Sequence, residues 1–136
     1  MGFEFEAMPG KREIAFVYAW GPVVFVAVLI FLVSEIPGSE LQSTQIFPHA
    51  DKVGHIFIYF VLGLSLLRAF ARTTSLKFAG QIWLAVALTT LYGAADEFHQ
   101  CFVKDRTAEF LDMLADLFGA IGANGVWWVW KRRVDR

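Results

Sequence analysis

Residues 14–33, IAFVYAWGPVVFVAVLIFLV, contain no charge. A helix of about 20 apolar residues spans the ~30 Å hydrocarbon core of a bilayer. Such a run must be buried completely in protein or given to lipid. The rest of the chain favours lipid: of 136 residues, 57% are hydrophobic and only 18% charged, against about 25% charged in a soluble domain. Lys11 and Arg12 before the run also fit the start of a secretory signal peptide. The apolar stretch is too long for one, and LVSEIPG after it offers no small-x-small cleavage site. The run therefore reads as an uncleaved first transmembrane helix. Pro22 removes a backbone donor and predicts a kink at Gly21-Pro22.

The apolar pattern returns three times. Residues 34–51 carry Pro37, Gly38 and Pro48, which is loop chemistry with room for a short interfacial helix over 39–47. A second span is expected over 53–71. His55 and Tyr59 lie near its start, and Arg68 near its end, where it is expected to snorkel to the headgroups. After a polar turn at 72–75, a third span covers 76–95 and a fourth 107–130. Gly119, Gly122 and Gly125 in the fourth predict close helix packing. Trp127, Trp128 and Trp130 before Lys131-Arg132-Arg133 make an interfacial aromatic belt with a basic anchor. Tyr59 and Tyr92 are expected to pack between helices with their hydroxyls in a polar cluster, and Asn124 to bond across helices. The expected fold is all-α: an integral membrane protein with four transmembrane helices. A tail of residues 1–13, with Phe3 and Phe5, precedes a single domain of residues 14–136.

Charge sorting orients the spans. Lys11 and Arg12, Arg68, Arg72 and Lys77, and Lys131, Arg132, Arg133 and Arg136 all fall on one side, nine of the 12 basic residues. The positive-inside rule makes that side, with both termini, cytoplasmic. The opposite ends then hold the polar stretch 96–116, DEFHQCFVKDRTAEFLDMLAD, together with Asp51, Lys52 and His55. Ionisable groups at membrane depth are costly, so this convergence marks a candidate site on the outer leaflet. Spacing refines it. Asp51, His55 and Tyr59 recur every four residues; Asp96, His99 and Gln100 share a second face; Glu109, Asp112 and Asp116 share a third. Asp112 and Asp116 lie roughly one and two turns into the fourth span, so one or both must be protonated, paired, metal-bound or facing a wet cavity.

Other chemistries lack a signature. Cys101 is the only cysteine, so no intrachain disulfide forms, and no Cys-x-x-Cys zinc spacing occurs. There is no Gly-rich phosphate loop, G-x-S-x-G elbow or basic nucleic-acid stripe. No nucleic-acid partner is expected.

Three pieces, in order, carry a family resemblance: Asp51-Lys52-x-x-His55-x-x-x-Tyr59, then Tyr92-x-x-x-Asp96-Glu97-x-His99-Gln100-x-Phe102-Val103-x-x-Arg106, then Asp112-x-x-Ala115-Asp116-x-x-Gly119. The chain resembles the VanZ-like family of small bacterial membrane proteins over about residues 51–122. It departs at Lys104-Asp105, where the family usually has Pro-Gly, and at Asp116, where it usually has Asn. The resemblance implies a multi-pass protein of the bacterial inner (cytoplasmic) membrane. The family's namesake is linked to teicoplanin resistance, which implies a process at the cell envelope.

Three functions fit these residues, with a proton-coupled transporter as the remaining alternative, for which four helices are few. In the first, the site binds an anionic or amphiphilic envelope molecule, a lipid-linked precursor or a glycopeptide. Asp51, Tyr59, Glu97, Gln100 and Asp116 would line it, and Lys52, Lys104 and Arg106 would grip phosphate or carboxylate. In the second, it is an enzyme acting on a lipid-linked phosphate. His55 or His99 would serve as base with Asp96 and Asp112, and carboxylates would hold a divalent metal ion. In the third, the cluster only braces helix ends, with His55 donating to Asp96 or Asp112.

Overall fold

The computed structural model describes residues 10–43 and 45–134; residues 1–9 of the expected tail, and Arg136, lie outside them. Among the described residues there are five helices and no strand: α1 (Lys11–Ser34), α2 (Gly38–Ser43), α3 (Ala50–Thr73), α4 (Phe78–Gln100) and α5 (Phe110–Val134). α3 is central and packs against α1, α4 and α5, most extensively against α5.

Three of these helices, α1, α3 and α4, are long and apolar enough to cross a membrane. α5 has 25 residues, about 37 Å at 1.5 Å per residue. Its ends carry Asp112, Asp116 and Lys131-Arg132-Arg133, which set it apart from the other three.

Polarity is arranged inside out. Trp83 is 74% exposed, and Tyr18, Phe25, Phe57 and Leu91 also face outward. Ser34, Thr89, Asp96, Glu97, Asp112, Asp116 and Asn124 are buried. In water this distribution would be ruinous. In lipid the apolar surface costs nothing, while polar groups must find each other inside.

Helix periodicity explains which residues turn inward. In α5, Asp112, Ala115, Asp116, Gly119, Ala120, Ala123 and Asn124 form one stripe of mostly small residues. The stripe lets α5 lie close along α3. At Gly119 the two backbones nearly touch, and a Cβ there would overlap the Ile56 carbonyl oxygen. Gly122 faces Phe60, whereas Gly125 faces open space. Asn124 does not bond across helices: its Nδ2 donates to Ala120 of its own helix at 2.8 Å.

Two boundaries differ from the sequence expectation. α4 continues through Gln100 instead of ending near residue 95, so the first part of the polar stretch is its last turn. Nothing in DEFHQ stops a helix; only its lipid-facing character changes. α5 starts at Phe110, not 107. The short helix after α1 exists, but has six residues, Gly38–Ser43.

α1 stays helical through Pro22. A proline at position 22 cannot donate to the carbonyl of Tyr18, four residues earlier. Arg68 of α3 does so instead: its Nη1 lies 3.0 Å from the Tyr18 oxygen and 3.4 Å from that of Ala19. Arg68 was expected to snorkel to headgroups. It is held to α1 because a bare carbonyl in an apolar setting is a stronger attraction. At the basic end, the Arg132 guanidinium lies 3.7 Å from the Trp128 ring centroid, joining anchor to belt.

A polar site at one end of the bundle

The C-termini of α1 and α4 and the N-termini of α3 and α5 share one end of the bundle, where the three polar segments meet. Their side chains sort into three groups.

Lys52 is the hub of the first. Its Nζ lies 3.0 Å from Asp51 Oδ2, 2.6 Å from Glu109 Oε2 and 2.6 Å from Asp112 Oδ1. One ammonium has three donors, and here three carboxylates surround it. The group ties the first turn of α3 to the first turn of α5.

The second group lies one turn deeper. His55 Nδ1 is 2.8 Å from Asp116 Oδ1. The expected partners of His55 were Asp96 or Asp112; Asp116 takes it because α3 and α5 run side by side, and residues 55 and 116 lie level. Glu97 of α4 stands beside this pair. Its Oε2 accepts the Glu109 backbone N–H at 2.9 Å, and the Glu109 carbonyl in turn starts α5 by accepting from Asp112 and Met113. A carboxylate at a helix N-terminus satisfies a free donor and complements the helix dipole.

Asp96 centres the third group and holds α4 to α1. Ser34 Oγ and Gln100 Nε2 donate to its two oxygens. Arg106 acts alongside it, with Nε 3.0 Å from the Ile36 oxygen and Nη2 3.2 Å from that of Val33. The Val33 carbonyl also accepts the Ile36 N–H at 3.2 Å, and the guanidinium adds to the cap at this end of α1. Burial draws the Arg106 pKa below its ordinary value, while the carboxylates of Asp96, Glu97 and Asp112 pull it back up. The preceding loop makes this possible. Gly38 N–H donates to the Lys104 oxygen at 3.1 Å, and Gly38 sits so close to Asp105 that a Cβ would overlap its carbonyl. Asp105 has φ 58°, a left-handed conformation that Asp tolerates better than most residues. The turn is thus kept without Pro-Gly.

A cavity of about 440 Å³ opens beside the third group. Its lining mixes polar residues, among them Ser34, Asp51, His55, Asp96, Gln100 and Arg106, with apolar ones such as Leu29, Ile30, Val33, Leu41, Ile46 and Ile58. Tyr59 is fully buried, with its ring stacked on His55 and tilted against Tyr92.

Of the residues singled out in the sequence, Asp51, His55, Tyr59, Asp96, Gln100 and Arg106 share this cavity. Lys52 and Asp112 belong to the ion-pair hub, and Glu97 and Asp116 lie behind His55. His99 stands apart: its Nε2 pairs with Glu35 at 2.6 Å, and its ring packs on Phe31. Lys104 is exposed. The Tyr92 hydroxyl goes to the Ala27 oxygen of α1 at 2.7 Å and not to the cluster. Cys101 is exposed. Ser34 is the participant that the sequence concealed. It closes an apolar run and its partner is 62 positions away, so no local spacing announces it.

An apolar exterior, three membrane-length helices and a buried polar site at one end define a multi-pass membrane protein. The family model described as VanZ/LLP1 matches residues 15–131, and the chain belongs to the VanZ-like family. Comparison with curated proteins and with solved structures gave no match.

Proposed function

We propose that this is a single-domain, four-span protein of the bacterial inner membrane, with cytoplasmic termini, whose cavity binds an amphiphilic cell-envelope molecule at the outer leaflet. The cavity carries this reading. The apolar part of its lining suits an alkyl chain, and Asp51, Asp96, Gln100 and Arg106 in the same lining suit a head group. Sites for small amphiphiles are largely apolar with a few placed polar groups. A head group that donates from hydroxyls or amines to the carboxylates, and presents phosphate or carboxylate to Arg106, fits the wall. A lipid-linked envelope precursor has that chemistry. Lys52 is not counted as an anion grip, because three carboxylates already surround it.

The test is lipid retention. Protein purified in mild detergent is examined by native mass spectrometry, wild type beside Ile58→Trp, which fills the cavity. Wild type is expected to keep an envelope lipid that Ile58→Trp loses. Equal retention by the two, at equal folding, overturns the reading and leaves a brace of helix ends. Fusions at the C-terminus check the orientation: a fluorescent protein should glow and an alkaline phosphatase stay inactive. Cells lacking and regaining the protein then show whether teicoplanin susceptibility follows cavity occupancy.

A second reading is favoured by one observation. Asp116 holds His55 through Nδ1, which leaves Nε2 of a cavity-lining histidine for a proton. That is the arrangement of an oriented general base. Hydrolysis or transfer on a lipid-linked phosphate would then stop in His55→Gln while lipid retention persists.

A further inference from the structure

We infer that His55, Glu97 and Asp116 form a binding site for one divalent transition-metal ion, buried behind the cavity wall. One ligand atom from each residue lies within 4.8 Å of the other two. The three come from three helices, α3, α4 and α5, so the fold itself assembles them.

The carboxylates are not satisfied by protein. Glu97 and Asp116 are each 1% exposed. Glu97 uses Oε2 for the Glu109 N–H and Asp116 uses Oδ1 for His55, while Glu97 Oε1 and Asp116 Oδ2 have no hydrogen-bond partner among the described residues. A buried carboxylate oxygen without a partner is expensive. The nearby cations are engaged elsewhere: Lys52 with Asp51, Glu109 and Asp112, and Arg106 with the carbonyls of Val33 and Ile36.

Charge balance selects the occupant. Two carboxylates and a neutral imidazole around a dication sum to zero, the least costly state to bury away from water. One nitrogen and two oxygen ligands suit zinc or manganese; magnesium and calcium prefer all-oxygen sets. The neighbouring trio Asp51, Glu109 and Asp112 also clusters, but Lys52 already stands among its oxygens. The His55 side chain, 17% exposed, gives an ion its way in. His55 lines the cavity but Glu97 and Asp116 do not, so substitutions at those two test the ion site apart from the lipid reading.

Detergent-purified full-length protein is stripped with chelator, reloaded with Zn²⁺ or Mn²⁺ alone, desalted and assayed by elemental mass spectrometry. About one equivalent per chain is expected, with a higher melting temperature in the loaded form, since a ligand bound only by the native state stabilises it. Glu97→Gln and Asp116→Asn should each weaken retention by at least about tenfold, whereas Glu35→Gln, outside the site, should match wild type. Wild-type protein that retains no ion, and melts at the same temperature with and without it, overturns the inference even if the variants fail to fold. Full retention in folded Glu97→Gln and Asp116→Asn overturns it as well.

Discussion

The Lys52 hub and the cavity lining meet at the first turns of α3, yet they differ in how completely their polar groups are used. At the hub one ammonium meets three carboxylates, and α3 is fixed to α5. At the wall, Asp96 and Arg106 hold α1 in place and still face a cavity, and a His55 nitrogen remains available. Saturated clusters brace. Clusters with groups left over can receive a ligand. The distinction matters because composition alone makes the two look alike.

Substitution should separate them. The largest effect is expected at the hub. Lys52→Met strands three carboxylates, one of them buried, and should cost about 3–5 kcal/mol, the usual penalty for breaking a buried ion pair from one side. Thermal unfolding in detergent measures it, and an unchanged melting temperature would erase the contrast. Arg106→Ala comes next. It removes two charge-assisted bonds to the end of α1 and should cost about 1–3 kcal/mol. Unlike Lys52→Met, it should also reduce lipid retention in the molecules that stay folded; if only stability falls, Arg106 belongs with the brace. The smallest effect is expected for His99→Ala. Its pair with Glu35 is partly exposed and worth at most about 1 kcal/mol. Retention should be unaffected, and loss of it would bring His99 back into the site.

Much of this was legible in the sequence, and the limits have a physical cause. Length and apolarity predict long helices, and charge sorting predicts that the ends at residues 51–55, 96–106 and 109–116 meet. Periodicity also places Asp51, His55 and Tyr59 on one face. What periodicity cannot say is which face meets which neighbour. Spacing groups His99 with Asp96 and Gln100, but His99 turns to Glu35 and Phe31 and stands apart from them. The pairing of His55 with Asp116 depends on the axial offset between α3 and α5. Small residues such as Gly119 set that contact, and no local pattern reports the offset. Asp105 taught a third lesson. Lys104-Asp105 lacks the family's Pro-Gly turn signal, but a left-handed Asp105 keeps a turn there.

Pro22 and Arg68 are linked through one carbonyl. Proline leaves the Tyr18 carbonyl bare and arginine covers it from another helix, so the two positions should be energetically coupled. Arg68→Leu should be costly beside Pro22 and markedly cheaper in a Pro22→Ala background, where the helix supplies its own donor. In a double-mutant cycle the difference is an interaction energy between residues 46 positions apart that need never touch through their side chains. Neither residue is then a free choice: each is a condition on the other, and a change at one should be tolerated best when it arrives with a change at its partner.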